Sequence, residues 1–150
     1  MPQSLSQLYV HLVFSTKHRE ALLLSPLREQ MHAYLATVLN HQRSPALIVG
    51  GTSDHVHALF RLSKNLSLAA VVEEIKTSSS KWVKTQGRAW TNFHWQSGYA
   101  GFSVSPGKLD EVRDYIAQQE AHHRAVSFQD EYRKLLQSYG IDYDERYVWD

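Results

Sequence analysis

The chain has 150 residues, with 16 basic and 15 acidic side chains and no cysteine. This length suits one hydrophobic core, so we expect residues 1–150 to form a single domain. The lack of cysteine excludes disulfide scaffolds, thiol nucleophiles and iron–sulfur clusters. No apolar run approaches the roughly 20 residues of a membrane helix and no signal peptide is read, so we expect a cytoplasmic protein without a membrane partner.

The charge is distributed unevenly along the chain. Residues 61–90 carry six basic and two acidic side chains, whereas residues 101–150 carry six basic and ten acidic ones. A basic segment of this kind can form a phosphate-facing surface, and it can equally be an ordinary solvated face.

Hydrophobic periodicity predicts alternating strands and helices. In chain order we expect a strand at 8–14, a helix from Pro26 to Asn40, strands at 46–49 and 55–62, a helix capped by Ser67, and a strand at 99–105. A third helix is predicted over 109–124, and the tail is predicted to be partly helical around 131–138. The order βαββαβ is typical of an α+β, ferredoxin-like sandwich with a central antiparallel sheet, here with an added C-terminal helix that carries a tyrosine.

Two histidines in the third predicted strand are the first candidate for chemistry. His55 and His57 alternate with Val56, Ala58 and Phe60, so the imidazoles share one face of the strand and the apolar side chains share the other. Two imidazoles on one face can clamp a divalent metal.

The third predicted helix is the second candidate. Tyr115 and Gln119 lie about 40° apart around a helix and His122 lies within about 20° of Tyr115, so the three form a polar strip. A cation near a phenol favours the phenolate, and a positioned phenolate can attack a phosphate that the same cation polarises.

Several segments together resemble the single-tyrosine HUH transposases of the insertion sequence 200/605 type. The histidine pair at 55–57 and the tyrosine helix at 115–123 carry the resemblance. Further similar segments lie at 9–17, 76–82, 93–105 and 143–149. The resemblance covers essentially the whole chain, in order.

This resemblance implies an enzyme that nicks and rejoins one strand of DNA. Tyr115 corresponds to the nucleophile, which forms a 5′-phosphotyrosine and releases a 3′-hydroxyl without a nucleotide cofactor. His55, His57 and Gln119 correspond to the ligands of Mg²⁺ or Mn²⁺. The resemblance also implies a homodimer that recognises single-stranded DNA hairpins, and it leaves open whether Tyr115 acts in cis or in trans.

The third metal ligand has three candidates. His122 and His123 compete with Gln119, and we prefer Gln119 because it occupies the family's motif position and because an amide oxygen suits a hard ion.

Cations and flat rings are the groups that single-stranded DNA requires. The candidates for contact with DNA are Lys17, Arg19, Lys76, Lys81, Lys84, Trp95 and Tyr99. We interpret His11 and His94 as structural or peripheral.

Three other functions compete with the transposase. One is a domesticated relative that cleaves chromosomal palindromic repeats with the same residues. Another is a non-catalytic nucleic-acid-binding module, because the βαββαβ order also describes RNA-recognition domains. The third, a His-x-His phosphoesterase, is disfavoured because position 59 is Leu and the motif occurs once.

Overall fold

An antiparallel sheet of four strands forms the centre of the protein in the computed structural model, which describes residues 2–150. The strands are β1 (Leu8–Ser15), β2 (Ala46–Gly51), β3 (His55–Leu62) and β4 (Ala100–Val104), in the spatial order β2-β3-β1-β4. The helices are α1 (Leu27–His41), α2 (Leu68–Lys84), α3 (Leu109–Ala117), α4 (Gln119–His122) and α5 (Phe128–Ser138). The predicted βαββαβ order, the antiparallel sheet and the added tyrosine-bearing helix are confirmed.

The two faces of the sheet are covered by different helices. Val10, Leu12 and Phe14 of β1 pack with Val56 and Phe60 of β3 in the main core, which α1 and α2 cover. Because side chains alternate along a strand, the intervening residues point to the opposite face. That second face is covered by α3 on one side and by α5 on the other.

The α2 helix begins as predicted. The Ser67 side chain accepts a hydrogen bond from the Ala70 amide at 3.1 Å, which satisfies one of the free amides of the first turn. Within residues 2–150, no helix combines the length and the hydropathy needed to cross a membrane.

The predicted continuous helix over 109–124 is wrong. The α3 helix ends at Ala117, and Gln118 adopts φ −103° and ψ 21° before α4 begins. The Gln118 amide divides its hydrogen bond between the carbonyls of Asp114 and Tyr115, at 3.2 and 3.3 Å, as is common where a helix ends. The angular positions that we derived for Gln119 and His122 assumed one straight helix, so they do not hold beyond Gln118.

A glycine on β2 sets the position of α3. A Cβ atom on Gly50 would lie 2.9 Å from both the Ile116 carbonyl oxygen and its Cγ2 atom. The absence of a side chain therefore allows α3 to lie directly on β2. This close contact fixes the backbone next to Tyr115.

Candidate metal centre and nucleophile

His55 and His57 lie side by side on the second face of the sheet. Their alternation with Val56 on β3 directs both imidazoles away from the main core, as predicted. Both side chains are buried, with 1% and 0% of their surface exposed. The rings are not surrounded by apolar side chains, however, because polar groups of α3, α4 and α5 meet them.

Each ring is held at Nδ1 by a group outside the cluster. His55 Nδ1 lies 2.8 Å from Asp54 Oδ1, and His57 Nδ1 lies 2.8 Å from His11 Nε2. Because a carboxylate only accepts hydrogen bonds, His55 carries its proton on Nδ1 and directs a lone pair from Nε2 into the cluster. Metal-binding histidines are typically oriented by partners of this kind. His11 is therefore a structural residue of the site, because it orients His57.

Glu131 of α5 is the centre of the cluster, and the sequence analysis missed it. Its Oε1 atom lies 3.1 Å from His57 Nε2, 3.0 Å from His123 Nε2 and 3.6 Å from His55 Nε2. Ser127 caps α5 and so starts the helix at Phe128, three residues before the predicted start. Glu131 then lies on the buried stripe between Phe128 and Tyr132. A carboxylate on an apolar stripe is the signal that would have identified it.

The Tyr115 hydroxyl reaches the same carboxylate. It donates a short hydrogen bond to Glu131 Oε2, the oxygen that faces away from the three imidazoles. The Tyr115 ring lies edge-on to His57, with 5.8 Å between the ring centroids. One chain thus brings the predicted histidine pair and the predicted tyrosine together.

The three candidates for the third ligand also lie at the cluster. Gln119 Oε1 is 3.1 Å from His55 Nε2, and the Gln119 amide nitrogen donates to Glu131 Oε2 at 3.1 Å. His123 donates from Nδ1 to the Val126 carbonyl at 2.7 Å, so its Nε2 lone pair also points inward. His122 Nε2 lies 3.4 Å from Glu131 Oε2 and is buried without a hydrogen-bond partner.

This arrangement of acceptors fits a cation. The ligand atoms of His55, His57, His123 and Glu131 all lie within 4.8 Å of one another. In neutral His55 and His123, which donate from Nδ1, the Nε2 lone pairs face a carboxylate oxygen, and burial makes that repulsion costly. A divalent ion, or additional protons on the imidazoles, would relieve it. Imidazole nitrogen and carboxylate oxygen are ordinary ligands for first-row divalent metals.

The surroundings shift the pKa values of the clustered groups. Burial raises the pKa of Glu131, but in the metal-free protein hydrogen bonds from a protonated His123 and from His57 outweigh burial and hold that pKa well below its usual range. Burial, followed by the hydrogen bond to the Glu131 carboxylate, raises the pKa of Tyr115 above its usual value. Burial, together with the neighbouring His57, lowers the pKa of His11 to about 3. His11 is therefore neutral near pH 7.

A known protein family matches the part of the chain that carries most of these side chains. The sequence model of the family described as transposase, IS200-like, matches residues 4–119. The chain belongs to this IS200-like transposase family. The predicted resemblance is thereby confirmed. The match includes His55, His57, Tyr115 and Gln119 but ends before His123 and Glu131.

Two solved structures share the fold of this IS200-like transposase. One is a protein from Deinococcus radiodurans R1 assigned as a transposase, with a TM-score of 0.61 and 19% identity over 79% of this chain and 98% of that chain. The other is a REP-associated tyrosine transposase bound to a REP hairpin, with a TM-score of 0.60 and 14% identity over 84% of this chain and 76% of that one. No curated protein matches the sequence.

A basic groove lies on the α2 side of the transposase. It has a volume of about 580 Å³, and five of the seven predicted DNA-contact residues line it: Lys76, Lys81, Lys84, Trp95 and Tyr99. The other two, Lys17 and Arg19, lie outside this groove on a short turn after β1. We call the groove lined by Lys76, Lys81, Lys84, Trp95 and Tyr99 the α2 groove.

Two of the groove residues are engaged within the protein. The Lys76 ammonium group donates to the carbonyls of Gln96 and Gly98, at 2.8 and 2.6 Å, and burial lowers its pKa to about 8. The Trp95 ring contacts Phe14 edge-on and is 8% exposed, so little of it is free to stack on a base. Lys81 and Tyr99 are exposed in the groove, and the half-buried Lys84 donates to the Ser80 hydroxyl at 3.2 Å.

A second groove, of about 560 Å³, runs past the predicted nucleophile. It is lined by Tyr115, His11, Tyr139 and β4 residues that include Ser103 and Val104. The α2 groove borders the start of β4 at Tyr99, and this second groove borders its end. The edge strand β4 therefore connects the two.

Proposed function

We propose that this IS200-like transposase cleaves and rejoins single-stranded DNA through a covalent bond to Tyr115. The observation that carries the proposal is that the Tyr115 hydroxyl and the Nε2 atoms of His55 and His57 converge on one buried carboxylate, Glu131. A binding module has no need for such a convergence, because grouping these side chains in the interior without an ion costs stability.

The residues divide the reaction among themselves. The Tyr115 oxygen attacks phosphorus, the bond from phosphorus to the 3′ oxygen breaks, and the 3′ oxygen leaves with a proton as a hydroxyl. One phosphate ester replaces another, so no nucleotide is consumed. The phenol's own proton already points at Glu131 Oε2. His55, His57 and Gln119 would hold Mg²⁺ or Mn²⁺, which when bound polarises the phosphate and favours the phenolate.

We propose a DNA hairpin as the bound element. One neighbour in fold is bound to a REP hairpin, and the α2 groove supplies cations and an exposed ring, the groups that backbone phosphates and unpaired bases require. The single-stranded DNA beyond the hairpin would reach Tyr115 through the second groove. The same residues would serve a mobile element or a domesticated relative.

The site assembles within one chain, which supports action of Tyr115 in cis. The homodimer implied by the family resemblance stays a prediction, and light scattering of the purified protein tests it.

The experiment is to trap the covalent intermediate. Purified protein is incubated with Mn²⁺ and 3′-labelled oligonucleotides that carry a hairpin followed by a randomised single-stranded flank, and denaturing gels detect the adduct, because the 5′-phosphotyrosine retains the fragment on the 3′ side of the cleaved bond. We expect an adduct with the wild type and none with Tyr115→Phe. Tyr132→Phe is the matched control, because Tyr132 is a buried tyrosine of α5 outside the cluster. An adduct of undiminished yield with Tyr115→Phe would overturn the proposal.

A further inference from the structure

One carboxylate at the metal centre lies outside the part of the chain that the family model matches. The match ends at Gln119, whereas Glu131 lies on α5, twelve positions further along the chain. The short α4 helix and the connection to Ser127 bring α5 back over β3, where Phe128 stacks on the His55 ring with 4.4 Å between the centroids. The helix is thus seated on the metal centre itself.

The geometry points to Glu131 as a metal ligand through Oε1, together with the imidazoles of His55, His57 and His123. This inference rests on the metal-dependent function proposed above. All four ligand atoms lie within 4.8 Å of one another, and Oε1 is the atom common to the close pairs. A carboxylate as buried as Glu131, with 3% exposure, needs compensating positive charge, and among residues 2–150 only imidazoles, and no Lys or Arg side chain, lie within ion-pair distance of it. A divalent ion supplies that charge while the imidazoles stay neutral and act as ligands.

The two oxygens of Glu131 have separate partners. Oε1 faces the imidazoles, whereas Oε2 accepts from the Tyr115 hydroxyl and from the Gln119 amide nitrogen. Oε1 can therefore bind a metal without releasing Tyr115. Gln119 Oε1 remains available as a further ligand, since it lies 3.1 Å from His55 Nε2.

This donor set carries a preference among metals. Three imidazoles and one carboxylate suit a first-row transition metal such as Mn²⁺ better than Mg²⁺, because Mg²⁺ prefers oxygen ligands and retains its waters. We therefore expect Mn²⁺ to bind at least about 100-fold more tightly than Mg²⁺.

Calorimetric titration of the DNA-free protein with MnCl₂ and with MgCl₂ tests the inference. We expect one Mn²⁺ site in the wild type and at least a tenfold weaker Kd in Glu131→Gln. Asp130→Asn is the matched control, because Asp130 is the preceding residue of α5 and its exposed carboxylate pairs with Arg133. Its Kd should stay within twofold of the wild type. A Glu131→Gln variant that binds Mn²⁺ within twofold of the wild type would overturn the inference.

A second measurement does not depend on the folding of a variant. Wild-type crystals soaked in Mn²⁺ should show anomalous density bonded to Glu131 Oε1, and a water molecule in place of that oxygen would contradict the inference. Both measurements omit DNA, so they separate the two proposals. If Mn²⁺ binding depends on Glu131 but no covalent adduct forms, the proposed function alone is refuted. If an adduct forms but metal binding is independent of Glu131, this inference alone is refuted.

Discussion

The two faces of the sheet are built from alternate residues of the same strands, yet only one of them buries a cluster of ionisable side chains. The face beneath α1 and α2 is filled by apolar side chains such as Leu12 and Phe60. The face beneath α3 and α5, which we call the polar face, also carries apolar clusters around Phe102 and Ile116, but between them it buries His57, Gln119 and Glu131. The first arrangement stabilises the fold by removing apolar surface from water, whereas the second is costly unless an ion satisfies it. Both faces thus contribute to folding, but the polar groups of the candidate site lie on one of them alone.

The largest effect on stability should come from removing a large side chain from the apolar face. Phe60 is fully buried, so Phe60→Ala should lower the free energy of unfolding by about 3 to 5 kcal/mol in urea melts. On the other face, His57→Leu keeps a similar volume and removes a polar group. In metal-free protein it should cost less than about 2 kcal/mol, because Glu131 keeps the hydrogen bonds from Tyr115, Gln119 and His123. Equal losses in the two variants would show that the faces do not divide their roles in this way.

Metal addition should stabilise the protein through the polar face alone. At 100 times its Kd, Mn²⁺ should raise the free energy of unfolding by about 2.7 kcal/mol, because it binds the folded state. The increment should persist in Ile75→Val, a core variant on α2, and should largely disappear in His55→Ala. Urea melts with Mn²⁺ and with chelator measure both. A full increment in His55→Ala would place the ion elsewhere.

Local patterns predicted the elements of both faces, because alternation and helix caps act over a few residues. The pairing of His55 and His57 follows from strand period alone. The contact between His11 and His57 instead depends on strand register, which places Val13 opposite His57 and makes His11 a diagonal neighbour.

Glu131 required knowledge of how α5 returns to the sheet. Its distance from His55 along the chain hides the contact, and only its position on the buried stripe beside Tyr132 indicated it. The helix break at Gln118 was equally hidden, since no Gly or Pro marks it. Long-range packing decided both features, and one sequence does not encode them in a local pattern.

The α2 groove should affect DNA binding without affecting the polar face. Replacing both Lys81 and Lys84 by Ala should weaken hairpin binding about tenfold near physiological salt and reduce the slope of log K against log salt by up to about 2. Mn²⁺ affinity should not change. Lys64→Ala is the control, because Lys64 is a lysine outside the groove. Fluorescence anisotropy over a salt series measures the slope. An unchanged slope in the double variant would show that the α2 groove does not contact the DNA phosphates.

The smallest effect should arise where the two layers meet, at His32 of α1. Burial, followed by the Arg28 guanidinium, lowers the pKa of His32 to about 4, and its Nε2 atom is buried without a hydrogen-bond partner. The folded-state pKa is below the ordinary value of about 6.5, so the unfolded chain binds the proton more readily. The contribution of His32 to stability is therefore complete above pH 6.5 and is lost as the pH falls towards 4. Between pH 7 and pH 5.5, metal-free wild type should lose about 1 kcal/mol more than His32→Leu in urea melts. Parallel pH profiles of the two proteins would show that this imidazole accepts its proton without unfolding.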